Sequence, residues 1–213
     1  CCVSEKSQLD MTAHQYWTSK ELQQLRQQLT DGKWPASCAY CERKKSKGLK
    51  ADVDFWNTFY DNAEVEIDLV SGNSTGAPLY LDYRPSNICN LKCRMCVPNA
   101  SNQIEQEINL NPHLGKWRKA HNRPLQYVSE LSEYLGSMKL KQIKILGGEP
   151  TLDENVITLL ENFIETHGND LPELRFTTNG TNLNARFRRI MERFPDIHVC
   201  YSVDAANATY DYI

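Results

Sequence analysis

Apolar residues follow two different patterns along the chain, separated by a segment rich in Gly, Ser and Pro at residues 71–78. Before this segment, three leucines recur at helical spacing after Ser19, which predicts an amphipathic helix capped by that serine and ended by Asp31 and Gly32. Aromatic residues predict a second helix over about 52–61. We therefore expect residues 1–77 to form a small, mostly helical region with the segment as a linker.

After the linker, short apolar stretches alternate with longer stretches of helical period. This alternation is typical of βαβ units and predicts an α/β fold with a parallel sheet. We expect about four strands, in a core that spans residues 78–213 and is incomplete at its C-terminal end. The predicted strands cover residues 79–83, 142–146, 174–178 and 197–203, and the predicted helices cover 125–138, 154–167 and 183–193.

Polar motifs follow each predicted strand at the point where the strand ends. They are Asn87–Cys96, Gly147–Pro150, Asn179–Thr181 and Ser202–Asp204. Because the carboxyl ends of parallel strands meet at one edge of a sheet, we expect these motifs to form a single site.

Composition and charge narrow the function classes. The chain of 213 residues is 40% hydrophobic and 24% charged with a formal net charge of −3, which indicates a globular protein and gives no reason to expect a nucleic-acid partner. It contains no apolar run of membrane-spanning length and no signal peptide at its start, so we expect no membrane partner and a cytoplasmic location.

Seven of the eight cysteines fall in tight groups, CC, CxxC and CxxxCxxC, a pattern that favours metal or cluster ligation over disulfides. Cys89, Cys93 and Cys96 supply three thiolates within eight residues, which suits a [4Fe–4S] cluster with one iron open to a cofactor. A zinc site with a fourth ligand from elsewhere, or thiols that bind no metal, remain alternatives. Cys200, within an apolar strand, is expected to be a buried thiol.

Four sequence motifs resemble the radical S-adenosylmethionine (radical SAM) superfamily. They are DYRPSNICNLKCRMC at 82–96, GGEP at 147–150, TTNGT at 177–181 and SVDA at 202–205. The resemblance implies a partial (β/α)6 radical SAM barrel whose cluster is ligated by Cys89, Cys93 and Cys96. It also implies that the open iron binds S-adenosylmethionine and that a 5′-deoxyadenosyl radical then abstracts hydrogen from a substrate.

The same resemblance implies cofactor contacts at successive strand ends. Gly147 and Gly148 would let the backbone approach the methionyl group, Glu149 would accept a hydrogen bond from its ammonium, and Pro150 would stiffen the turn. Met95 stands where the family usually has an aromatic residue against the adenine.

Further along the chain, Thr178 and Asn179 would face the carboxylate or ribose of the cofactor. Ser202 and Asp204 would contact the ribose or the substrate. Each motif also has a purely structural interpretation, as a strand-to-helix turn, an Asn-Gly turn or a helix cap.

The N-terminal cysteines form a second ligand set. CCVS followed by WPxxCxYCE resembles a segment upstream of the barrel in some radical SAM enzymes with twitch or SPASM attachments, which implies an auxiliary iron–sulfur cluster. Its ligands would be Cys1 or Cys2 with Cys38 and Cys41. Zinc, or no metal, are the alternatives.

Two function classes follow from these motifs. The first is a radical SAM enzyme that acts on a peptide or small-molecule substrate with an electron donor such as flavodoxin or ferredoxin. The second is a non-catalytic iron–sulfur or zinc binding module that serves as a redox sensor or scaffold. A cofactor-binding Glu149 would favour the enzyme.

Overall fold

The computed structural model describes residues 13–60, 78–116 and 139–206. The chain divides into two compact units, Cys1–Ala77 and Pro78–Ile213. The predicted helix over 125–138 and most of the predicted linker lie outside the described residues.

The described part of the first unit is helical. The predicted helix after Ser19 is confirmed, since the Ser19 side chain accepts a hydrogen bond from the Leu22 N–H at 3.3 Å and caps it. A salt bridge of 2.8 Å from Lys45 to Asp54 joins the third and fourth helices, both sides of it partly exposed. The helices are α1 (Ala13–Trp17), α2 (Lys20–Thr30), α3 (Ala39–Ser46) and α4 (Asp52–Tyr60).

The second unit contains one sheet of four parallel strands in the order β1-β2-β3-β4, which confirms the predicted α/β fold. In register across the sheet, Tyr83 is aligned with Ile145, and Phe176 with Val199. All four carboxyl ends therefore lie along one edge. The strands are β1 (Tyr80–Tyr83), β2 (Gln142–Ile145), β3 (Glu173–Thr178) and β4 (Ile197–Tyr201).

Three α-helices are described in this unit, α5 (Asn102–Leu110), α6 (Glu154–His167) and α7 (Ala185–Met191). α6 has the predicted bounds because its apolar residues recur at helical spacing and Asp153 caps its N-terminus by accepting from the Asn155 N–H at 2.9 Å. Five of its side chains are buried. Phe187 of α7 packs edge-on against Phe176 of β3, with ring centroids 5.2 Å apart.

The prediction that Cys200 is a buried thiol is wrong, because this side chain is exposed. β4 is an edge strand of the described sheet, and most of its residues are only partly covered. An apolar strand pattern indicates burial only where both neighbouring strands are present. Among the described helices, none has the length and apolar character needed to cross a bilayer.

Candidate functional site

A cavity of about 740 Å³ opens at the carboxyl edge of the sheet. Residues that follow each of the four strands line it, as expected for chemistry placed at the ends of parallel strands. Of the predicted site residues, the cavity is lined by Cys89, Cys93, Cys96, Gly147, Gly148, Thr178, Asn179 and Ser202. The structure thus brings the three cysteines together with the glycine turn and the polar ends of β3 and β4.

The loop that carries the cysteines is held by the residues that begin α5. The Cys89 N–H donates to the Asn102 side-chain oxygen at 3.1 Å, and the Ser101 hydroxyl donates to the Leu91 carbonyl at 3.0 Å. Ser101 also caps α5 by accepting from the Ile104 N–H at 3.4 Å. α5 was not predicted. The residues at its N-terminus hold the cysteine loop through these hydrogen bonds.

The three thiols of the loop are partly exposed to the cavity, and none of them forms a disulfide. Burial raises the pKa of the Cys93 thiol, and the nearby Asp204 carboxylate and Cys89 thiol raise that pKa further. The pocket by itself therefore disfavours a thiolate at Cys93. A bound metal ion would reverse this preference, because its positive charge stabilises a coordinating thiolate.

The donor set fits an iron–sulfur cluster better than a single zinc ion. Cys89, Cys93 and Cys96 offer three thiols from one loop to the cavity. A [4Fe–4S] cluster with one iron open to a cofactor needs three such thiolates. A structural zinc site needs four protein ligands. Cys89, Cys93 and Cys96 are accordingly the residues that would hold it.

The two glycines of the GGEP motif are required by the cysteine loop itself. A Cβ on Gly148 would lie 2.1 Å from the Ile88 carbonyl oxygen, and one on Gly147 would lie 2.8 Å from the Ser86 carbonyl oxygen. Gly147 also has a φ of 142°, which side-chain-bearing residues rarely adopt. Both glycines also line the cavity. Their predicted role, a close approach of the backbone to a cofactor, stays a prediction.

Backbone hydrogen bonds continue the β1–β2 contact beyond the strand ends. The Gly148 N–H donates to the Ser86 carbonyl at 3.3 Å, and the Glu149 N–H donates to the Ile88 carbonyl at 2.7 Å. The close approach that the glycines permit is therefore used for main-chain bonding. As a result, the turn after β2 and the segment just before Cys89 form one packed unit.

The Glu149 side chain has several hydrogen-bond partners within the protein. Its side chain is 0% exposed and does not line the cavity. Oε1 accepts from the hydroxyls of Thr151 and Thr178, each at 2.7 Å, while Oε2 accepts from the Asn179 N–H at 2.7 Å. A buried carboxylate needs such donors, and here the protein supplies them. The carboxylate therefore joins the GGEP turn to the end of β3, and its predicted bond to a cofactor ammonium stays a prediction.

Three other predicted cofactor residues also lie off the cavity wall. Met95 is 65% exposed, because it occupies the outer corner of a turn closed by the Cys96 N–H and the Cys93 carbonyl at 3.0 Å. Pro150 is buried as the first residue of a short 3-10 turn. Asp204 is exposed and acts on the cavity through its charge near Cys93. The predicted adenine contact of Met95 stays a prediction.

The polar ends of β3 and β4 are connected through the main chain. The Ser202 N–H donates to the Thr178 carbonyl at 2.9 Å, which extends the β3–β4 contact by one residue. The Thr178 side chain is buried, with its hydroxyl directed to Glu149. Ser202 is exposed at the cavity, so its hydroxyl is open to a ligand.

Two residues that order this site were missed in the sequence. The Ser86 hydroxyl donates a short hydrogen bond to the Asp153 carboxylate, which ties the segment before Cys89 to the cap of α6. The Thr151 hydroxyl donates a hydrogen bond to the Glu149 carboxylate. Serine and threonine beside a strand end give no distinctive signal, although Asp153 before an apolar helix is a recognisable cap.

The N-terminal cysteines are only partly described. Cys38 is disulfide-bonded and 2% exposed, while Cys41 is a thiol that is 7% exposed. Cys1 and Cys2 lie outside the described residues. The predicted auxiliary ligand set, Cys1 or Cys2 with Cys38 and Cys41, therefore stays a prediction.

Gly148→Ala tests the packing of the glycine turn. We expect this variant to lose most iron uptake on reconstitution, because the added Cβ displaces the Ile88 carbonyl and with it Cys89. Gly168→Ala is a stringent control, since its φ of 61° adds backbone strain of about 1–3 kcal/mol that Gly148→Ala does not have, while its Cβ meets no atom within 4 Å. Equal iron per chain in both variants, measured alongside unfolding in urea, would contradict the proposed packing.

Glu149→Gln tests the buried carboxylate. The substitution keeps the shape but places an amide donor among existing donors, so we expect a loss of about 1–3 kcal/mol in the free energy of unfolding. Glu165→Gln on the exposed side of α6 is the control, and it should change stability by less than about 0.5 kcal/mol. Urea unfolding curves measure both, and similar values for the two variants would rule out a structural role for Glu149.

Comparison with known proteins places this site in a family. The sequence model of the Radical SAM superfamily matches residues 83–212, which include the cysteine loop and all later strand ends. GTP 3′,8-cyclase from Moorella thermoacetica is 30% identical over 106 residues, covering 50% of this chain and 28% of the cyclase. GTP 3′,8-cyclase from Haemophilus ducreyi is 27% identical over 124 residues, covering 58% of this chain and 29% of the cyclase.

Among solved structures, Streptococcus suis SuiB bound to S-adenosylmethionine matches with a TM-score of 0.42 and 17% identity, over 90% of this chain and 36% of SuiB. SuiB bound to its precursor peptide SuiA matches with a TM-score of 0.42 and 22% identity, over 63% of this chain and 26% of SuiB. The chain spans less than a third of the length of the cyclases. Since the family match covers more than half of the chain, the protein belongs to the radical SAM superfamily.

Proposed function

We propose that this chain carries the cofactor-binding part of a radical SAM enzyme, with Cys89, Cys93 and Cys96 as ligands of a [4Fe–4S] cluster. One observation carries the proposal: three thiols from a single loop open into the same cavity as the glycine turn and the ends of β3 and β4. Membership in the superfamily implies the cofactors, a [4Fe–4S] cluster and S-adenosylmethionine.

Held by Cys89, Cys93 and Cys96, the cluster would supply one electron for the reductive cleavage of S-adenosylmethionine, the source of the radical that would abstract hydrogen from a substrate. The chain's own residues hold and shield this chemistry. Leu91, Val97 and Leu146 form apolar parts of the cavity wall. The backbone of Gly147 and Gly148 lies at the cavity wall, where its polar groups would be close to a bound cofactor.

The substrate is proposed by class alone, as a peptide or small molecule, with a flavodoxin or ferredoxin as the electron donor. The part of the GTP 3′,8-cyclases that matches this chain is under a third of their length. A match of this extent gives no support for GTP as the substrate here, and the shared cofactor chemistry follows from superfamily membership.

A non-catalytic iron–sulfur or zinc binding module is the second candidate function. From the sequence alone, a cofactor-binding Glu149 would favour the enzyme over the binding module, because a scaffold needs no carboxylate for a cofactor. The buried position of Glu149 removes that distinction, since its hydrogen bonds serve the fold in either case. Superfamily membership favours the enzyme, and the response of the cluster to S-adenosylmethionine separates the two candidates.

The test is anaerobic reconstitution with iron and sulfide, followed by EPR of the reduced protein with and without S-adenosylmethionine. We expect a [4Fe–4S] signal that changes when S-adenosylmethionine is added. Cys93→Ala should abolish this response, because it removes a cluster ligand, whereas Cys200→Ala on β4 should preserve it. A well-reconstituted protein whose signal ignores S-adenosylmethionine would exclude the enzyme.

We further propose that Cys38 and Cys41, with Cys1 or Cys2, bind an auxiliary iron–sulfur cluster when reduced. Support comes from the burial of Cys38 and Cys41 only three residues apart, near the start of α3. Reduction of the Cys38 disulfide would be required to release its thiolate.

Iron analysis of reconstituted variants tests this second cluster. We expect Cys41→Ala to lose about half of the bound iron while it keeps the EPR response to S-adenosylmethionine. Cys93→Ala should lose the response and keep the remaining iron. Unchanged iron in Cys41→Ala would exclude an auxiliary cluster, and zinc in place of iron would identify a structural zinc site.

A further inference from the structure

We propose that the side-chain amide of Asn179 donates a hydrogen bond to the Cys89 sulfur and thereby raises the reduction potential of the bound cluster. The inference rests on the proposed cluster site and assigns to Asn179 a positioning and tuning role, in place of the predicted contact with the cofactor. Its basis is the contact between the end of β3 and the first cysteine of the loop.

The Asn179 amide nitrogen faces two acceptors on the cysteine loop. Nδ2 lies 3.8 Å from the Cys89 sulfur and 3.0 Å from the Asn90 side-chain oxygen. A side-chain amide carries two N–H groups, so one nitrogen can donate to both partners. The distance to sulfur is suited to a weak hydrogen bond, which a charged thiolate would strengthen.

The other end of the amide is fixed by Thr181. Oδ1 of Asn179 accepts from the Thr181 N–H at 3.0 Å and from the Thr181 hydroxyl at 2.7 Å. A rotated amide would face those donors with its NH2 group and present its oxygen to the sulfur and to another oxygen. The hydrogen-bond partners thus determine that nitrogen, not oxygen, faces Cys89.

The main chain of Asn179 is fixed as firmly as its side chain. Its N–H donates to Oε2 of Glu149 at 2.7 Å, and that carboxylate is fully buried. A further bond of 2.8 Å from Asn90 Nδ2 to the Thr181 hydroxyl closes the network between the two loops. Asn179 is therefore positioned before any cluster binds.

Cys89 also accepts from the Leu91 N–H at 3.4 Å. That contact comes from the main chain, which almost any residue at 91 would provide, whereas the Asn179 contact depends on one side chain. N–H donors stabilise the extra negative charge of a reduced cluster, and hydrogen bonds to its sulfurs are among the factors that set cluster potentials. Loss of the Asn179 donor should therefore make the potential more negative.

Redox titration of the reconstituted protein, monitored by EPR without S-adenosylmethionine, measures this effect. In Asn179→Ala we expect the one-electron reduction equilibrium to fall by up to about tenfold, equal to about 59 mV. Asn179→Asp should shift it at least as far in the same direction, because it replaces the donor with a negative charge.

Thr181→Val is the matched control, since it removes a hydroxyl from the same network while the Thr181 main-chain N–H still holds Oδ1 of Asn179. It should leave the potential close to that of the unsubstituted protein. An equal shift in Thr181→Val and Asn179→Ala would attribute the effect to loop structure and overturn the proposal. An unchanged potential in Asn179→Ala with full iron content would overturn it as well.

A measurement on the unsubstituted protein covers the case in which the variants fail to bind iron. Asparagine labelled with 15N at the side-chain amide should give a hyperfine coupling to the reduced cluster in pulsed EPR. A protein that assembles the cluster but shows no such coupling would overturn the Asn179 contact. A protein that assembles no cluster would instead overturn the proposed function, so the two failures are distinguishable.

Discussion

The buried carboxylate of Glu149 is the interaction on which the arrangement of the site depends. It has no exposed surface, so its charge is tolerated only because Thr151, Thr178 and Asn179 donate to it. These donors come from the turn after β2 and from the end of β3. Removing any one leaves a buried acceptor short of a partner, so the two strand ends are held in a fixed relation.

Contact between the β2 turn and the cysteine loop depends on the absence of side chains. Gly148 lets the two main chains approach until the Glu149 N–H reaches the Ile88 carbonyl at 2.7 Å. Glu149 thus uses its main chain to bind the cysteine loop and its side chain to bind β3. One residue thereby joins three strand-end segments, which explains why a small motif can determine the shape of the whole cavity.

Periodicity in the sequence was sufficient to predict the sheet and α6, because strands and amphipathic helices leave their spacing in the chain. It also located the cavity, since parallel strands bring their carboxyl ends together. The partners of Glu149 and the exposure of Met95 could not be predicted, because both depend on contacts between distant segments. Cys200 shows the same limit: an apolar strand pattern does not tell which strand lies at an edge of the sheet.

Most polar side chains of the motifs are used to bind the protein to itself. Glu149, Asn179 and Thr178 all direct hydrogen-bonding groups to neighbouring loops. The motif residues that line the cavity include the two glycines, the three cysteines and Ser202. Motif residues that look like ligand contacts in the sequence can thus be the groups that hold backbone and sulfur in place. Recognition of a cofactor at this site would then depend less on the identity of each polar side chain than on how rigidly the three loops are joined.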